Sequence, residues 1–125
     1  MSRVLIDTHV LLWWLADDPS LSPLARETIA DPATTPLVST ASVWAIAIKR
    51  SLGRLTAPDE LPDAIAAAGF TSLPVAAAHA WEVRNLPFHH RDPFDRLLIA
   101  QALVERLPVV TADPGFGAYG VAIRW

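Results

Sequence analysis

The feature that most constrains this chain is a run of apolar residues that stops at an acid, Val4-Leu5-Ile6-Asp7, with related runs further along. A stretch with no polar alternation has no wet face, so it reads as a strand buried on both sides, as in a parallel sheet. Pro36 to Ser39 and Pro108 to Thr111 read the same way, and Phe70 to Leu73 and Tyr119 to Arg124 are weaker strand candidates. Helical stretches lie between them. Thr8 to Ala16 is stopped by Asp17-Asp18-Pro19, and Ser22-Pro23 is a cap and first-turn proline for a helix to Ala30. Ser39 or Thr40 can cap a helix from Ala41 to Leu52 that Gly53 ends. Pro58 to Ala68, Val75 to Arg84 and Pro93 to Arg106 complete the series. Strands alternating with helices predict an α/β sandwich with a mainly parallel central sheet.

With 125 residues the chain suits a single domain, 1–125, long enough to bury a core, and 52% apolar with 18% charged residues is a globular balance. Thirteen acids against ten bases give a net charge of −3, so no global basic field attracts nucleic acid. Such contact needs a local basic patch or a bound cation. The absence of cysteine removes disulfides, thiolate metal sites and cysteine nucleophiles, and suits a reducing cytoplasm. Asp7 and His9 interrupt the apolar N-terminus, which argues against a signal peptide, and no window reaches the roughly 18 apolar residues of a membrane span. The expectation is a soluble cytoplasmic protein with no membrane partner.

The densest chemistry lies between His89 and Ala102. Asp92-Pro93 reads as a helix N-cap and first residue, and Asp95 falls in the first turn, where the helix dipole favours a carboxylate. Asp7 and Asp113 each follow an apolar strand run, and in open α/β sheets the functional crevice lies beyond the carboxyl ends of the strands. If the three converge, each pair repels by about 4 kcal/mol at 4 Å and an effective dielectric of 20, so such a cluster implies a cation. Oxygen donors favour Mg²⁺ or Mn²⁺ over zinc, and the natural chemistry is phosphodiester hydrolysis. The alternative is equally local: Asp7 caps a helix, Asp95 is a first-turn acid, and Asp113 makes an Asp-Pro-Gly turn. Spacing along the chain leaves both open.

Several stretches together carry a family resemblance: Leu5-Ile6-Asp7-Thr8-His9 with Leu12-Trp13, Ser39 to Leu55, His90 to Ala102, and Thr111-Ala112-Asp113 with Phe116. Through them the chain resembles PIN-domain proteins, and among these the VapC toxins of type II toxin–antitoxin systems. The resemblance implies a three-layer α/β/α sandwich, a Mg²⁺- or Mn²⁺-dependent endoribonuclease acting on RNA, a homodimer, and inhibition by a VapB-type antitoxin. It makes Asp7, Asp95 and Asp113 the catalytic and metal-site acids, with Asp92 a cap or auxiliary acid. Thr8 is a further auxiliary residue, a partner for a metal-bound water or a helix cap.

One position departs from the family pattern. Relatives of this type usually carry Glu after the tryptophan of the second motif, whereas Trp44 is followed by Ala45. Alanine cannot ligate a metal, but it is the best helix former. A natural low-activity member, compensation by Asp92 or another acid, and deliberate silencing of a toxic nuclease all fit. The expectation is weak or absent RNA cleavage with normal partner binding.

Lys49, Arg54, Arg91 and Arg96 are candidate phosphate contacts on a local basic rim, against a solvated helix face as the plain alternative. His89 and His90, adjacent on an extended segment, point to opposite sides and suit surface or capping roles better than a metal pair. The tryptophans suit core or interface, with one of Trp13 and Trp14 turned outward. Two other functional classes remain: a catalytically silent module binding an antitoxin or RNA, favoured by Ala45, and a phosphatase or receiver-like α/β domain using Asp7 at a strand end. Against the phosphatase, His9 stands where a second acid is needed.

Overall fold

The computed structural model describes residues 2–125. The elements run β1 (Ser2–Ile6), α1 (Thr8–Leu15), α2 (Pro23–Ala30), β2 (Thr34–Ser39), α3 (Thr40–Ser51), α4 (Leu61–Ala67), β3 (Thr71–Leu73), α5 (Ala77–Glu82), α6 (Pro93–Glu105), β4 (Val109–Val110) and β5 (Ile123–Arg124). Two 3-10 turns lie at Val83–Asn85 and Pro114–Tyr119. The strands form one sheet in the order β3-β2-β1-β4-β5, and every pairing is parallel.

The apolar runs explain the layering. Side chains of a strand alternate between faces, and here both faces are dry. Val4, Ile6, Val38 and Val110 enter one core with Val10 and Leu11 of α1, Ala25 and Ile29 of α2, and Leu61 and Ile65 of α4. Leu5, Leu37 and Val109 enter the other with Leu98, Ile99 and Ala102 of α6. Helix α3 serves both, giving Ala41 to one core and Ile46 to the other. The result is a three-layer α/β/α sandwich with β1 at its centre. Each fully buried Leu, Ile or Val contributes about 1.5–3 kcal/mol.

Some element ends differ from the sequence reading. The helix expected over Pro58–Ala68 begins at Leu61, because Pro62 is tolerated only in a first turn. The helix expected over Val75–Arg84 is shorter and tightens into a 3-10 turn at Val83. The last strand shrinks to Ile123–Arg124, since Pro114–Tyr119 forms a 3-10 turn closed by Gly120 at φ +78°. Trp13 and Trp14 are half-buried, against Trp125 and Phe70; the exposed tryptophans are Trp44 (58%) and Trp81 (65%). No helix is long and apolar enough to cross a membrane among the described residues.

Candidate metal centre

After β1 the chain moves out to β2 and β3 and then returns to β4 on the other side of β1. The crevice of a parallel sheet opens where the order reverses, at the carboxyl ends of these two neighbours. Asp7 leaves β1 there, and Asp113 follows β4 by three residues. Helix α6 begins over the same edge, its N-cap Asp92 accepting from the amides of Phe94 (2.8 Å) and Asp95 (3.2 Å). The Pro93 ring costs no hydrogen bond at that position. This cap delivers Asp95 to the crevice and absorbs Asp92 in a structural role.

Asp7 occupies the N-cap position of α1 but makes no side-chain capping bond. Its buried carboxylate instead accepts from Thr111 Oγ1 at 3.0 Å. Burial raises its pKa above the ordinary value, opposed chiefly by the Thr111 hydrogen bond, while Asp113 adds a smaller raising effect. Asp95 is pushed up to about 6, first by desolvation and then by the negative charges of Asp7 and Asp92, with Asp113 adding to them and His90 opposing. The three acids therefore feel one another. Asp113 also forms the turn expected of Asp-Pro-Gly, its Oδ1 accepting from the Gly115 amide at 2.8 Å.

His90 joins this group. Its Nε2 lies 3.0 Å from Asp113 Oδ2 and 3.2 Å from Asp95 Oδ2, and donor atoms of His90, Asp95 and Asp113 all fall within 4.8 Å of one another. The sequence reading missed it. His89 and His90 do diverge, although they leave a turn and not an extended segment: His89 packs edge-on against Tyr119, His90 turns to the acids. The available signal was the position of His90 at the head of the His-Arg-Asp-Pro-Phe-Asp-Arg block.

The basic residues separate. Arg96, expected on a phosphate-binding rim, is buried at 6% exposure. It donates to the carbonyls of Pro87 (2.8 Å), His90 (3.3 Å), Val83 (3.3 Å) and Leu86 (3.1 Å), and stacks on Phe88. Its guanidinium pins the segment before α6 and has no face left for a phosphate. Lys49 stands in the last turn of α3, roughly 13 Å along the axis from its crevice end at 1.5 Å per residue, and Arg54 lies just beyond that end of the helix. Arg91 alone is exposed next to the acids.

Thr8 neither caps α1 nor stands free: its hydroxyl pairs with Ser42 Oγ of α3 at 2.9 Å, buried. Ala45 lies one turn further on that buried face of α3, at 1% exposure.

Carboxylate oxygens, two of whose acids are raised first by burial and then by one another's charge, match the hard donors a small divalent cation takes. A parallel α/β sandwich with acids gathered at its switch point is the class that fold and site define. The chain belongs to the PIN-domain family, which matches it over residues 4–122; PIN domains are generally nucleases that use divalent metals. Among solved structures, it is similar in fold to VapBC2 from Rickettsia felis, bound to a DNA fragment from their promoter (TM-score 0.70, 11% identity, 97% of this chain and 96% of that chain). A toxin–antitoxin complex from Klebsiella pneumoniae (0.60, 16%, 89% and 87%) and FitAcB from Neisseria gonorrhoeae (0.57, 18%, 96% and 95%) share the fold. A comparison with curated proteins gave no match.

Proposed function

We propose that this single-domain chain is a VapC-type toxin, a Mg²⁺- or Mn²⁺-dependent endoribonuclease of the cytoplasm, attenuated by Ala45. The observation that carries this reading is the convergence of Asp95 and Asp113, with donor atoms within 4.8 Å of each other and of His90, at the sheet edge where Asp7 leaves β1. A fold that crowds carboxylates at its crevice leaves charge for a cation to neutralise. Asp7, Asp95 and Asp113 would hold it. When bound, the cation supplies Lewis-acid polarisation of a phosphoryl oxygen and a more acidic water. The protein's part is to fix the acids: Thr111 orients Asp7, the Asp92 cap orients the start of α6, and the Gly115 amide orients Asp113. Arg91 would meet the RNA backbone.

A VapB-type antitoxin partner is supported by the VapBC and toxin–antitoxin complexes that share the fold and by an apolar groove of about 390 Å³ lined by Val38, Val43, Trp44, Ala47 and Ile65. A homodimer belongs to the same reading. The second reading, a silent antitoxin- or RNA-binding module, is favoured by Ala45 alone. Cleavage of RNA with Mn²⁺, comparing this chain with Ala45→Glu, separates the two. Weak cleavage that Ala45→Glu raises supports the toxin; equal, strong cleavage by both removes the attenuation; none by either leaves the silent module.

A further inference from the structure

Two side chains from separate elements fix the backbone of one histidine. Tyr119 Oη accepts from the His90 amide at 2.7 Å and donates to the Pro87 carbonyl at 2.9 Å. Buried Arg96 donates to that same Pro87 carbonyl and to the carbonyl of His90. The ring is held as well. Phe116 stands perpendicular to it at 6.2 Å, and Gly115 lies against the Asp113 carboxylate that the ring faces, where a Cβ would come within 2.9 Å of Oδ1.

The nitrogens have distinct partners. Nδ1 accepts from the Asp92 amide at 3.3 Å, so its lone pair is engaged and the ring proton sits on Nε2. Nε2 therefore faces the acids as an N–H. It donates to Asp113 Oδ2, and Asp95 Oδ2 lies 3.2 Å from the same nitrogen.

We propose that His90 is a positioning residue of the metal centre, an Nε2–H donor that draws Asp113 and Asp95 together, and is not itself a ligand. It takes one oxygen from each acid and leaves Asp95 Oδ1 without a protein partner among the described residues. With Ala45 supplying no carboxylate, this placement of Asp95 and Asp113 governs how well the remaining acids hold a cation. The inference rests on the metal-site reading of these acids and is independent of the substrate.

The test has two arms. In ¹⁵N NMR of the metal-free protein, His90 Nε2 should show the protonated shift and Nδ1 the unprotonated one; the opposite tautomer overturns the proposal. In calorimetric titration with Mn²⁺, His90→Ala should lose roughly 10- to 100-fold in affinity, the range for residues that orient metal ligands. His90→Gln, whose amide N–H can reach the place of Nε2, should recover most of that loss. Unchanged affinity in His90→Ala sinks the proposal alone, as does direct ¹¹³Cd–¹⁵N coupling to Nε2, which would make His90 a ligand. A wild-type chain that binds neither Mn²⁺ nor Mg²⁺ sinks the metal-site reading and this proposal with it.

Discussion

His79 and His90 are built alike and do different things. Each presents Nδ1 to a backbone amide, that of Ala76 at 2.9 Å and that of Asp92 at 3.3 Å, so each turns Nε2 toward acid. Around His79 the acid is Glu105, 3.9 Å away, and the ring is 4% exposed, wedged between α5 and α6 beside buried Gln101. Around His90 two acids lie within 3.2 Å and the side chain reaches solvent. The same local device thus fixes a tautomer in both. What separates a packing histidine from a site histidine is the number of carboxylates brought to the far nitrogen and the access of solvent to them.

The largest expected effect falls on the acids. Asp7→Asn or Asp95→Asn should lower Mn²⁺ affinity by more than about 100-fold, beyond what an orienting residue gives, and should abolish any cleavage gained by Ala45→Glu. Calorimetry and a cleavage assay read both, and near-normal affinity in either variant would show that the crevice is not the metal centre. Next comes the contrast between the histidines. His79→Ala removes a buried ring and its bond to the part-buried Ala76 amide, and should cost about 1–3 kcal/mol of stability while leaving Mn²⁺ affinity unchanged. His90→Ala should do the reverse. Urea unfolding beside metal titration tests the pair, and two variants with the same profile would erase the distinction.

A pH dependence follows from Asp95. Its folded pKa of about 6 lies above the ordinary 3.8, so between these values the folded state keeps a proton that the unfolded chain has lost. Stability of the metal-free protein is then highest near pH 4 on this account, falls as pH rises toward 6, and stays low above that. The loss is on the order of 3 kcal/mol, with Asp7 acting in the same direction. Asp95→Asn should flatten the curve, and saturating Mn²⁺ should reverse it; unfolding midpoints across pH 4–8 measure both. The smallest effect belongs to the His79 side. Gln101 Oε1 is buried without a partner and its amide nitrogen makes only long contacts of 3.4 Å. Gln101→Leu should therefore leave stability within about 1 kcal/mol of wild type, because it removes an unsatisfied group along with weak bonds. A larger loss in thermal unfolding would mean that the amide is essential to the α5–α6 contact.

Much of this was legible in the chain itself. Val4-Leu5-Ile6, Leu37-Val38 and Val109-Val110 could not sit on a wet face, so the strands, their burial and the layered fold followed from hydrophobic pattern. Asp92-Pro93 announced the start of α6 through cap chemistry alone. Asp7, Asp95 and Asp113 were candidates because of what precedes or follows each of them. Their meeting was not legible, since it depends on β4 pairing with β1 across a hundred residues of chain. Arg96 misled for a similar reason. Its charge suggests a surface, and only the folded segment before α6 offers it four carbonyls.

The sequence by itself determined the elements and the donor chemistry, because backbone propensity, capping and hydrophobic period act within a few residues. The tertiary structure decided which donors share a crevice, which histidine joins them and which arginine is withdrawn from the surface. Those outcomes are set by strand order and by the partners a buried polar group finds, and both are relations between distant parts of the chain.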